Sequence, residues 1–161
     1  MNDYKYFLDE GIYDIQCGKY TEALEKITQS IAMKNDWEIS YFYRAVANQA
    51  LENFDDAILD YTKALQINDK MTDAYYNRAK ILLTRKDIES DLNKIVQDLE
   101  KALELDPNFV DALYAMGAVQ KKLENYHKAL EYLNKAIELN PDFVHAKALQ
   151  KLILTKYLKM L

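Results

Sequence analysis

Glycine and proline are scarce, 3 and 2 of 161 residues, where ordinary usage of the two together is roughly 12%. That poverty excludes collagen, many short strands joined by tight turns, and a Gly-rich phosphate loop, which needs several glycines within a few residues. Cysteine occurs once, at Cys17, so no internal disulfide can form, and the two histidines share no ligand spacing with it or with each other. No apolar run approaches the roughly 18 residues that cross a bilayer. Met1 to Glu10 also lacks the basic-then-apolar order of a secretion signal. A soluble, cytoplasmic, helical chain is what these absences leave, and its half-apolar composition with 29% charged residues is that of a folded domain.

Basic excess is lacking too. The formal net charge is -5, which disfavours a nucleic-acid partner, since phosphate binding depends on clustered Lys and Arg. The charge is uneven. From Val144 to Leu161 the chain holds Lys147, Lys151, Lys156 and Lys159 and no acid, which leaves -9 on the other 143 residues.

What is present is a repeat. KALQIND from Lys63, KALELDP from Lys101 and KAIELNP from Lys135 recur at spacings of 38 and 34, and QSIAMKN from Gln29 lies 34 before the first. LENF from Leu51 and LENY from Leu123 are 72 apart. Four units follow, residues 4–37, 38–71, 72–109 and 110–143, with a further segment 144–161. Small residues hold the eighth place (Gly11, Ala45, Ala79, Gly117) and all but one of the twentieth (Ala23, Ala57, Ile95, Ala129). The twenty-seventh is small as well (Ser30, Ala64, Ala102, Ala136). Large residues hold the fourth, the seventeenth and the twenty-fourth, the last being Ile27, Tyr61, Leu99 and Leu133. Alternating small and large places let antiparallel helices interdigitate. The thirty-second place, Asn35, Asp69, Pro107 and Pro141, stops a helix or starts a turn.

This pattern resembles the tetratricopeptide repeat, a 34-residue helix-turn-helix unit, over residues 4–143, and the segment 144–161 resembles that family's C-terminal capping helix. The resemblance implies an all-α, right-handed superhelical array of antiparallel helix pairs, a single domain whose first helices line a concave groove. Departures from the family fall at the seventh and eleventh places, where Glu10, Arg44, Arg78, Asp14 and Asn48 replace apolar or aromatic residues. They are expected to form surface-edge ion pairs, Glu10 or Asp14 with Arg44 for instance, worth under about 1 kcal/mol.

The third unit carries four extra residues near 85–91. One added helical turn would put Ile88 on the face of Leu92, Ile95 and Leu99, with Asp87 or Ser90 as cap, so the second helix is expected to be a turn longer there. In the final segment Leu149, Leu152, Ile153, Tyr157 and Leu158 are expected to cover the last unit. Capping is preferred to a membrane-surface role for this basic amphipathic stretch.

In the family the groove is lined by the second, fifth, ninth and twelfth places of each first helix. Carried onto this sequence, they make Leu8, Ile12, Phe42 and Val46 an apolar strip, extended by Tyr76 and Tyr114, with Lys80 and Lys121 able to hold a carboxylate. The expected function is a protein-protein interaction module, an adaptor taking a peptide or helix of a partner protein. The alternative is a homo-oligomeric scaffold built through the same apolar surface or the exposed end of the first unit, where Tyr4, Tyr6 and Phe7 lie. The basic clamp that some chaperone-linked members use for a terminal carboxylate is not matched. Its places read Leu8, Ile12, Tyr43, Asp73 and Asn77 in one register and Phe42, Val46, Asn77, Asp111 and Ala115 in the next, with only Asn77 fitting. No catalytic, cofactor or metal signature is found. Cys17 is expected to be a small packed residue late in its helix, and Asp55 and Asp56 sit where a helix N-terminus favours acids.

Overall fold

A computed structural model describes residues 3–85 and 89–157. Among these residues the elements are helical and no strand occurs. In chain order they are α1 (Tyr4–Gln16), α2 (Tyr20–Met33), α3 (Glu38–Ala50), α4 (Phe54–Ile67) and α5 (Thr72–Leu83). After these come α6 (Leu92–Leu105), α7 (Val110–Lys122), α8 (Tyr126–Leu139) and α9 (Val144–Leu152). A 3₁₀ turn (Glu89–Asp91) precedes α6 and a π turn (Ile153–Tyr157) follows α9. The chain divides into two compact units, Met1–Ile81 and Leu82–Leu161.

The helices α1, α3, α5, α7 and α9 each start on the first place of the sequence period. In the first unit α1 packs on α2, α2 on α3 and α3 on α4; in the second α6 packs on α7, α7 on α8 and α8 on α9. The side chains at the twentieth, twenty-fourth and twenty-seventh places are all fully buried, Ala23, Ile27 and Ser30 in the first pair and Ala129, Leu133 and Ala136 in the last. Two cores occupy the first unit. Leu8, Ala23, Ile27 and Ala47 make one, and Ala45, Ala57, Tyr61, Leu65, Ala74 and Ile81 the other. In the second unit Leu113, Leu133, Ala136, Ala146 and Ile153 form the core under α9.

Helix turns reuse one solution. Gly18, Glu52 and Glu124 occupy the same place in their units and all have φ near +60° to +75°, the left-handed conformation that closes a helix C-terminus. Asn53 N–H then reaches back to the Asn48 carbonyl at 2.9 Å, as Lys19 does to Asp14 at 2.8 Å. Between units the side chains of Asn68, Asp106 and Asn140 accept from the backbone N–H two residues on at 3.0–3.2 Å, the Asx turn these residue types favour.

Glycine at the eighth place is a packing requirement. A Cβ on Gly11 would sit 2.5 Å from Ile27 Cγ1 and 3.3 Å from the Ala23 carbonyl oxygen, and one on Gly117 would sit 2.8 Å from Leu133 Cγ. Gly11→Ala gains about 1 kcal/mol of helix propensity but forces an overpacked contact costing about 1–3 kcal/mol. The expected net result is a destabilisation of about 1 kcal/mol, read as a lower thermal midpoint; an unchanged or higher midpoint would show that the α1–α2 contact yields freely.

Three local expectations are corrected. The helix after the four-residue insertion is no longer than its counterparts: α6 has 14 residues, like α2, α4 and α8. Glu89–Asp91 instead form a 3₁₀ turn, and Asp91 rather than Ser90 is the residue before α6, with no side-chain cap bond. Asp87 and Ile88 lie outside the described residues. Cys17 is exposed at the C-terminus of α1 instead of packed inside. At the C-terminal end, Ile153 is buried and Leu149 packs against the same core, as expected, together with Ala146 of α9, whereas Leu152 is 39% exposed and does not join them. Leu158 and Lys159 lie outside the described residues, as does the side chain of Tyr157.

Candidate functional site

The first helices of the first unit carry the apolar residues singled out from the sequence, and they divide into two roles. Leu8 is 2% exposed and belongs to the core with Ala23, Ile27 and Ala47. Its expected place on an open apolar strip is therefore corrected: Leu8 is enclosed with Ala23 and Ile27 of α2 and Ala47 of α3, with Ile39 and Tyr43 packed against the same cluster. Ile12 on α1, Phe42 and Val46 on α3 are partly exposed, forming the outer layer over these cores. Tyr76 on α5 is also partly exposed, and Lys80, one turn on, is exposed.

Below this strip lies a buried aromatic and amide floor. Phe42 meets the fully buried Tyr61 ring edge-on at 5.7 Å and Tyr43 at 5.4 Å. The Tyr61 hydroxyl donates to Gln49 Oε1 at 2.9 Å. Burial pushes the Tyr61 phenol well above its ordinary value, opposed by a hydrogen bond with Asn77 and reinforced by the Asp73 carboxylate. Phe42, Gln49 and Asn77 are thus locked by their neighbours, which gives the strip a rigid base.

In the second unit Tyr114 packs on the core of α7, α8 and α9 and faces Phe143 at 5.0 Å and His145 at 6.4 Å. Lys121 lies further along the same helix, partly buried.

The polar seventh and eleventh places pair differently from expectation. Lys26 on α2 lies 2.7 Å from Asp14 Oδ2 and 3.4 Å from Glu10 Oε2. Arg44 turns to Asp60 on α4, Nε donating to Oδ2 at 2.8 Å and Nη2 to Oδ1 at 2.7 Å. The pairs therefore close within a helix pair, seventh place to twenty-third, and neither Glu10 nor Asp14 meets Arg44. Nor is the second pair a surface-edge bridge, since the Asp60 side chain is 8% exposed. The Asp60 hydrogen bond holds the Arg44 guanidinium above its already high value; Asp14 does the same for Lys26.

Sequence reasoning missed a cleft of about 390 Å³ with Leu24 and Thr28 of α2 and Leu59 of α4 on its walls and Arg44, Asn48 and Asp60 in its floor. Opposite charges sixteen residues apart, at Glu10/Lys26 and Arg44/Asp60, are the signal that could have located it. Because Arg44 and Asp60 satisfy each other, the floor presents a closed ion pair. Among the described residues no group of three His, Cys, Asp or Glu side chains could hold a metal ion. No described helix is long and apolar enough to cross a membrane.

The family model for the tetratricopeptide repeat matches residues 110–143. The chain is 32% identical over 120 residues to the Hsp70-Hsp90 organizing protein 1 of Glycine max, a match covering 68% of this chain and 20% of that protein. It is 38% identical over 120 residues to the human sperm-associated antigen 1, covering 74% of this chain and 12% of the relative. The chain thus spans a fifth or less of the length of these curated relatives. Among solved structures, the first tetratricopeptide domain of Spaghetti (RPAP3), bound to the HSP90 peptide SRMEEVD, superposes with a TM-score of 0.69 at 24% identity, covering 76% of this chain and 94% of that one.

Proposed function

We propose, from the premise that this chain is built of tetratricopeptide repeats, that it is an adaptor whose first-helix face takes a peptide or helix of a partner protein. The observation that carries the reading is the strip of Ile12, Phe42 and Val46, apolar side chains left partly exposed over a floor held rigid by Tyr61 and Gln49. Apolar surface of this kind gains when a partner removes it from water, roughly 25 cal/mol per Å². A rigid base lowers the ordering cost of the complex. A domain of the same fold has been solved with a bound peptide, which is in keeping with a peptide as the kind of ligand.

The chemistry of the ligand follows from the residues. Beside the strip Lys80 offers one cation at the ninth place of α5, so the peptide in the first unit carries aliphatic or aromatic anchors and one acidic group. In the second unit Tyr114 and Lys121 provide the corresponding aromatic and basic contacts. Recognition resting mainly on a terminal carboxylate is disfavoured, because Leu8 and Ile12 stand where a basic clamp would need polar groups.

Ile12→Glu combined with Val46→Glu tests the reading, since both residues are partly exposed and lie at the edge of their cores rather than inside them. Peptides selected against the native chain from a displayed library are expected to lose at least about 10-fold in affinity, as removal of a contact worth more than 1 kcal/mol would produce. Helicity by circular dichroism should be retained. Selected peptides that bind the double variant as tightly would remove this face as the site. Phe42→Glu is less informative because Phe42 also stacks on Tyr61.

A further inference from the structure

The third and tenth places of a first helix are where it rests on the helix pair before it. At the third place Ser40, Ala74, Ala112 and Ala146 are all fully buried, and Ser40 bonds Ser30 of α2 at 3.0 Å. At the tenth place Ala47, Ile81, Val119 and Ile153 are at most 1% exposed. Ala47 packs with Leu8, Ala23 and Ile27 of the pair before it, and Ile153 with Leu133 and Ala136. In α1 the same two places hold Tyr6, 45% exposed, and Tyr13, 60% exposed, with the exposed Asp9 between them. Two large aromatic rings thus occupy a face that every other described first helix buries.

The surface able to receive such a face is also defined by equivalence. Within the first unit, Ala45 and its partly buried neighbours Phe42 and Val46, at the eighth, fifth and ninth places of α3, belong to the cluster that takes up Ala74 and Ile81 of the next first helix. On α9 these places are Lys151, Ala148 and Leu152, all exposed, with the exposed Lys147 one turn before Lys151. From Val144 to Tyr157 the chain carries three lysines and no acid, against Asp3 and Asp9 on the tyrosine face.

We propose that the Tyr6–Tyr13 face of α1 seats on α9 of a second copy of this chain, head to tail, with Asp9 beside Lys147 and Lys151. The surfaces joined are different, so the contact is heterologous: a pair keeps one free head and one free tail and continues into rings or open chains. This association uses neither Ile12 nor Val46 and stands apart from the peptide-binding reading. One helix face per partner is smaller than a standard interface, so the contact is weak and seen at high concentration.

Sedimentation velocity of the full 161-residue chain tests it. The weight-average mass is expected to rise above the monomer's 18.8 kDa between roughly 10 µM and 1 mM, the range for interfaces this small, and to fall again on adding salt. Tyr13→Glu and Lys151→Glu each alter an exposed residue, so both variants should keep native circular dichroism and each alone should stay monomeric. Mixed one to one, they should form a discrete pair and nothing larger, because the first keeps its tail and the second its head. A wild-type chain monomeric up to roughly 1 mM, or associating wild type whose two variants fail to complement each other, would overturn the proposal.

Discussion

Tyr61→Ala is expected to destabilise the protein by about 3–5 kcal/mol, the range for emptying a buried aromatic site. Tyr61 is fully buried, stacks edge-on with Phe42, and sits among Ala45, Ala57 and Ala74. The alanines cannot extend into the void, and Leu65 and Ile81 of the same core can close only part of it. At about 2–4 °C per kcal/mol for a chain of this size, the midpoint should drop by roughly 10–15 °C. Amide exchange should localise the loss to α3, α4 and α5, as in an array whose stability is a sum of neighbour terms. A drop of only a few degrees would mean that the α3–α4–α5 core repacks freely. Tyr61→Phe keeps the ring and is expected to cost about 1 kcal/mol for the lost bond to Gln49.

The same hydroxyl predicts a pH dependence. Burial raises the phenol's pKa in the folded protein above its ordinary value, so above about pH 10 the unfolded chain releases this proton first. Tyr61 therefore contributes a term fully present below that pH and lost as pH rises beyond it. In Tyr61→Phe the alkaline fall in stability should be shallower, measured as the slope of unfolding free energy between about pH 9.5 and 11.

What could be read from the sequence is what a helix pair repeats. Ala23, Ile27 and Ser30 recur as Ala129, Leu133 and Ala136 because helix crossing fixes which places touch, and side-chain size at a touching place is constrained. Three things escaped that logic. Leu8 and Ile12 are one turn apart on one face of α1, and which of them is enclosed depends on how α2 and α3 pack against it, which no pattern within α1 shows. Before α6 the described residues Glu89–Asp91 form a 3₁₀ turn, so α6 begins at the place shared by the other second helices, and no periodicity in the sequence marks where such a turn gives way to a helix. The partners of Glu10 and Arg44 lie sixteen residues away across a turn, a spacing set by the antiparallel crossing of two helices and invisible to a search within one.

That crossing makes the Arg44–Asp60 pair the other large lever on stability. Both oxygens of Asp60 accept from the guanidinium, and the carboxylate is nearly buried while Arg44 is a quarter exposed. Asp60→Ala would leave a largely buried cation with its two best bonds gone. Removing one partner of a fully buried pair costs about 3–5 kcal/mol, and the exposed part of Arg44 can recover water, so about 2–3 kcal/mol is expected here. The double change Arg44→Met with Asp60→Leu removes both charges and keeps the bulk, which is often neutral for a buried pair; its midpoint should lie closer to wild type than to Asp60→Ala. Chemical denaturation of the native chain, Arg44→Met, Asp60→Leu and their combination measures the coupling directly. A coupling energy near zero would mean that the bidentate geometry contributes nothing and that the cost of each single change is lost packing alone.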